Sequence, residues 1–244
     1  MKKTRGVLVA FALVAMSVAS FGQFGLGKVG LGQKNSNTPD VGQVLTQSTD
    51  LVKLITASTD QGVLAMDELA TAFPPEKVAA YGELSKKYHE SQATRKDGNI
   101  DAEGAQIATD AAAEFAKLAQ DWQSYRKDGT DHVSKADRRL GLMLLGDGLA
   151  STTLPTVVKS LQSTIESVAH NPLQAGKINQ LKWFVQLFAA IGPQIPKQVG
   201  SFRTVRSISK NIATAEKMTL PPDPSVDSMK DPASATTTIN TPIE

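Results

Sequence analysis

The chain has 244 residues, no cysteine, and 26 basic against 24 acidic side chains, a formal charge of +2. The missing cysteines exclude disulfides, thiolate metal sites, thiol catalysis and covalent c-type haem attachment. Lys2, Lys3 and Arg5 account for much of the basic excess. Without them 23 basic side chains face 24 acidic ones, so charge provides no general attraction to nucleic acid.

Those three basic residues head an apolar run over 6–19, and small residues follow at Ser17, Ala19, Ser20 and Gly22. A basic head, a short apolar stretch and small residues at the cleavage point are the layout of a secretory signal peptide. Residues 1–20 are read as a removed signal, which places the mature protein in the periplasm or outside the cell. Beyond it no second apolar run of about 18 residues is evident, so no membrane-spanning helix is expected in the mature chain.

Residues 21–37 form a glycine-rich leader. Gly22, Gly27 and Lys28 fit the spacing of a phosphate-binding loop, and Gly25, Gly27 and Gly30 fit a dinucleotide fingerprint. Both motifs need a strand before the glycines and a helix after them. Here the would-be strand is the signal peptide. Val29 also stands where a Ser or Thr would hold magnesium, and QKNSNTPD follows in place of a helix. No nucleotide site is expected.

A single bundle of five or six helices is predicted over 38–218. The first begins at Thr38-Pro39-Asp40 and carries Val41, Val44, Ser48, Leu51, Ile55 and Ser58 on one face, the spacing of an amphipathic helix. It continues to Phe73 with a possible kink at Gly62, and Pro74-Pro75 ends it. The second covers roughly 75–96. In the third, Gly104, Ala108, Ala111, Phe115, Leu118, Trp122 and Tyr125 alternate steps of four and three, a heptad-like seam capped by Asp101. The fourth starts at a capping-box pattern, Ser134 to Asp137, and meets Gly146, Gly148 and Pro155. It is one long bent helix or two, ending at His170-Asn171-Pro172. The fifth covers 175–191 and the sixth carries Ile195 to Ile212. From 219 to 244 the apolar content is too low to fold, and a disordered tail is expected. No strand is expected.

Few constellations carry chemistry. Asp97–Glu103 resembles the second half of a calcium loop, but Ala93, Arg95 and Gly104 occupy ligand positions. His89, His132 and His170 fall at different ends of an up-down bundle, and no metal or cofactor is assigned. Arg95-Lys-Asp-Gly98 recurs as Arg126-Lys-Asp-Gly129, which reads as two similar helix corners. Paired carboxylates such as Asp67-Glu68 are read as solvated. No catalytic set is found. The remaining feature is the 178–212 helix pair. Trp183, Phe184 and Phe188 on one helix stand beside Arg203, Arg206 and Lys210 on the next, a set suited to a partner or an anionic membrane surface. The chain is therefore read as a non-enzymatic exported helical protein that acts through surfaces on an unidentified protein partner. Binding of an apolar ligand or a membrane through the 178–212 pair is the alternative.

Overall fold

The computed structural model describes residues 40–169, 175–225 and 229–243. The signal peptide, the leader, Thr38, Pro39 and His170 lie outside them. The described residues form seven α-helices and no strand. These are α1 (Val41–Ala70), α2 (Pro75–Ala93), α3 (Ala102–Ala116), α4 (Val133–Ala169), α5 (Ala175–Ile191), α6 (Gln194–Ala215) and α7 (Pro232–Ile239). The chain is all-α, as its periodicity predicts.

The first helix runs through the middle of the fold and packs against α2, α3, α4, α5, α6 and α7. Asp40 caps it by accepting from the Gly42 N–H at 2.9 Å. The expected apolar face is buried, but so are Val52, Leu54, Val63 and Ala65 on the other faces. Three of its buried hydroxyls bond their own helix, whereas Ser58 Oγ has no partner among the described residues. Ser48, Thr56 and Thr59 each donate to the carbonyl four residues back, at 2.8 Å in each case. The helix is continuous through Gly62. The glycine admits the Phe202 ring, whose Cζ would lie 2.6 Å from an added Cβ.

Three boundaries differ from expectation. The third helix stops at Ala116 and passes into 3-10 turns over Lys117–Gln120 and Trp122–Ser124. Tertiary contacts redirect the chain there. Asp121 pairs with Lys77 on α2, and the Arg126 N–H donates to the Ala72 carbonyl at 2.6 Å. Phe115 is wholly buried, edge-on to Phe73 and Tyr81, whereas Trp122 is only half-buried. The fourth helix starts at Val133, out of a 3-10 turn over Lys127–His132, so Asp137 lies in its second turn and caps nothing. It then runs unbroken through Gly146, Gly148 and Pro155 to Ala169. Pro155 sits on the exposed side, where the lost backbone bond opens to water.

The third difference is the tail. Residues 232–239 fold as α7 against α1 and α4, with Ala235, Ile239 and the preceding Met229 buried. Average composition misses this because the helix is specified locally. Asp231 and Ser234 form a capping box, Pro232 occupies the first turn, and two apolar residues four apart make one small docking face. The segment from Lys127 to Ala169 is also long and apolar enough to cross a membrane, judged by length and composition alone. Its apolar residues are diluted by Gly, Ala and Thr, so no continuous run stands out in the sequence.

Phe115→Ala is expected to cost about 3–5 kcal/mol. Trp122→Ala should cost clearly less, because its ring is half in water. Urea unfolding of both variants checks the order; an equal or larger loss at Trp122 would contradict the end of α3 described above.

Candidate functional site

The six residues singled out on the 178–212 pair divide between two environments. Phe184 and Phe188 are buried, with ring centroids 6.0 Å apart. Trp183, the next residue along, is turned outward and 47% exposed, with its ring edge against Phe184 at 4.8 Å. Beyond Ala150 the buried residues of α4 are Val157, Leu161, Thr164 and Val168, a single stripe, and α5 packs along α4. Together α4 and α5 make a two-helix arm. The α5 helix contains no acidic residue, and Lys177 and Lys182, which precede Trp183, lie on exposed positions.

On α6 the basic residues also separate. Arg203 and Lys210 lie on exposed positions. Arg206 turns inward and grips Asp137 of α4 with two bonds, Nε to Oδ1 at 3.1 Å and Nη2 to Oδ2 at 3.0 Å. Its Nη2 also reaches Asp223, and the Ser209 hydroxyl donates to Asp137 at 2.9 Å. Asp137 is 1% exposed, so this bidentate pair is a tie between α4, α6 and the chain after α6. The hydrogen bond from Arg206 holds the Asp223 carboxyl below its ordinary range, and the charges of Arg206 and Lys210 add to the effect. Of the six residues, Trp183 is the large aromatic that meets solvent.

A second constellation went unread in the sequence. Asp67 and Asp60, seven residues apart on α1, gather groups from α2 and, at Asp60, from the corner after it as well. Asp67 accepts from Tyr81 Oη at 2.5 Å and Ser85 Oγ at 2.6 Å through Oδ1, while Oδ2 lies 2.8 Å from His89 Nε2. Asp60 accepts from Tyr88 Oη at 2.6 Å and Arg95 Nη1 at 2.8 Å. The signal was a matched period of seven: Asp60 and Asp67 on one helix, Tyr81, Tyr88 and Arg95 on the other side. Burial works against the charged imidazole of His89, but the bond and charge of Asp67 outweigh it and raise its pKa. Burial raises the phenols of Tyr81 and Tyr88, and the neighbouring carboxylates add to the shift.

Ser85, His89 and Asp67 are the residue types of a hydrolytic triad, but they are connected in the wrong order. The serine hydroxyl donates to the aspartate and not to the imidazole. His89 spends Nε2 on Asp67, and its Nδ1 faces Gln92 at 3.3 Å. A triad needs the imidazole positioned to take the serine proton, and His89 does not contact the Ser85 hydroxyl. The cluster is a polar clasp between α1 and α2. Among the described residues no group of His, Cys, Asp and Glu is placed to hold a metal ion. Asp101, part of the calcium-loop-like stretch, caps α3 by accepting from the Gly104 N–H at 2.8 Å. The two Arg-Lys-Asp-Gly segments do form similar corners, each an extended arginine leading into a 3-10 turn.

No known protein-family model matches the chain, and no curated protein or solved structure matches it either. The functional reading therefore rests on the geometry alone.

The Ser58 hydroxyl and the Asp147 carboxylate are both buried without a partner among the described residues. Asp147 on α4 is wholly buried, and neither carboxylate oxygen meets a donor. Burial raises its pKa well above the ordinary value. A raised carboxyl favours folding below the ordinary carboxyl range and opposes it increasingly as pH rises toward the folded pKa. Asp147→Asn, which carries no charge, is expected to be more stable than the parent at pH 7 and to lose this advantage near pH 3. Urea midpoints across that range check it; a parent more stable than the variant at pH 7 would show that the carboxylate is stabilised by a partner.

Proposed function

We propose that this is an exported, non-enzymatic helical protein that acts through surface contact with a protein partner, using the α4–α5 arm. The carrying observation is the exposure of Trp183. Leu64 and Trp183 are the large hydrophobic side chains exposed among the described residues, and Trp183 lies on the helix whose outward face is free of acidic side chains. An outward tryptophan with a polar rim is the usual form of a binding anchor, because a large ring buries much area with little rotamer entropy to lose. Phe184 and Phe188 hold the arm together, while Arg203 and Lys210 lie on the neighbouring helix. The signal-like N-terminus supports the periplasm or the exterior as the site of action.

One observation favours a second reading, in which the arm rests on a membrane surface. The most apolar window of the Lys127–Ala169 segment is only 39% buried, and the lysines beside Trp183 suit anionic headgroups.

Replacing Trp183 with a photo-crosslinking residue and irradiating the native envelope fraction separates the two. A discrete protein adduct is expected at position 183, with none when the probe is placed at Glu90 on α2. Lipid adducts without a protein adduct would replace the first reading by the second. No adduct of either kind would contradict a contact role for Trp183.

A further inference from the structure

A cleft of about 230 Å³ opens between α1, the corner that follows α2, and α7. Its α1 wall carries Lys53, Thr56 and Asp60, its corner wall carries Asp97 and Asn99, and Asn240 stands at the end of α7. We propose that this cleft binds a small zwitterion, of the class of a free α-amino acid, with its ammonium group toward Asp60 and Asp97 and its carboxylate toward Lys53.

Two walls of the cleft are rigid. The Ile100 N–H donates to Thr56 Oγ1 at 3.0 Å, while that hydroxyl donates to Val52 at 2.8 Å, so the corner is tied to α1 by a buried bond. Asp60 is fixed from behind. Tyr88 and Arg95 both bond to Oδ1, and the Arg95 side chain is 3% exposed beneath it. These bonds leave Oδ2 of Asp60 without a hydrogen bond among the described residues. A carboxylate held this firmly is preorganised, since binding has no side-chain freedom left to remove there.

The corner itself holds an uncommon backbone. Asp97 has φ 56° and ψ 20°, and Gly98 follows at φ 70°. A non-glycine residue in the left-handed region is retained against a steric cost, and such positions gather at functional sites. Neither the Asp97 carboxylate, the Lys53 ammonium nor the side-chain amides of Asn99 and Asn240 take part in a hydrogen bond or ion pair within the described residues. The polar ends that meet at this cleft are therefore available to a ligand.

The mixture of charges selects the ligand. Lys53 opposes a bare metal cation, and Asp60 with Asp97 opposes a bare anion. Ala57 supplies the sole aliphatic side chain in the lining, so an apolar body gains little. A molecule with both charges a few bonds apart meets every wall, and the side-chain amides add neutral hydrogen bonds. Because Thr236 lies on α7 and Asn240 follows its last residue, the ligand would also bind the C-terminal helix to the rest of the fold.

The test titrates the full chain with the individual proteinogenic amino acids at millimolar concentration, followed by calorimetry and backbone amide NMR. At least one amino acid should bind saturably and shift the amides of Gly98, Asn99 and Asn240. Lys53→Gln and Asp97→Asn should each weaken it by at least about tenfold. The N-acetyl and carboxamide forms of the same amino acid, each lacking one charge, should not bind. No saturable binding by any of them, or binding that both substitutions leave unchanged, would overturn the proposal. Both substituted side chains are exposed, and a thermal melt matching the parent confirms that each variant is folded.

Discussion

The close approach of helices to α1 is the constraint on which the rest of this fold depends. Of its 30 residues 17 are buried, spread around the whole helix. A helix can be surrounded in this way only where its neighbours come near without side chains between them. Two glycines provide those points. Gly62 on α1 receives the Phe202 ring of α6. Gly146 on α4 lies against Ser58 of α1, and an added Cβ would stand 2.6 Å from Ile239 Cδ1 of α7. The fourth, sixth and seventh helices thus meet α1 within one turn of itself, between Ser58 and Gly62.

Polar groups fix how the remaining helices sit on this centre. Gln198 of α6 is buried and donates to the Ala105 carbonyl at 3.1 Å and to Thr109 Oγ1 at 3.2 Å, while Thr59 of α1 reaches its side-chain carbonyl at 3.4 Å. One amide therefore links α1, α3 and α6. The Asp60 and Asp67 clusters do the same for α1 and α2, and Asp137 with Arg206 for α4 and α6. A sliding helix would leave these buried groups without partners, at a cost of about 1–3 kcal/mol each. Apolar burial supplies the stability, and the polar ties set the register. The fifth helix packs mainly along α4 and also touches α1, α3 and α6, and from it Trp183 faces solvent.

The helical class and the run of α5 and α6 were legible because their apolar residues repeat at helical spacing and Gly192-Pro193 breaks them cleanly. The end of α3 was not, because the period of four and three continues through Trp122 and Tyr125 while the chain is drawn off by Lys77 and Ala72. Asp137 has the spacing of a cap but the environment of a buried ion-pair partner, a distinction that only the position of α6 decides. The same limit hid α7, whose docking face consists of two residues. At the candidate site, the aromatic run 183–188 was visible in the sequence, but which ring meets solvent depends on where α4 lies. The Asp60 and Asp67 clusters join residues 14–35 apart, and single-helix patterns do not reveal such pairs.

Glycine-to-alanine substitution measures the central constraint directly, because alanine stabilises a helix by roughly 1 kcal/mol where nothing is close. Gly82 and Gly148 have no atom within 4 Å of an added Cβ, and alanine at either should raise the unfolding temperature. Alanine at Gly62 or Gly146 should lower it, as the methyl group forces the packed helices apart. A gain in stability at Gly62 and Gly146 equal to that at Gly82 and Gly148 would contradict the account, since it would mean that nothing is packed against α1 and α4 at those two points.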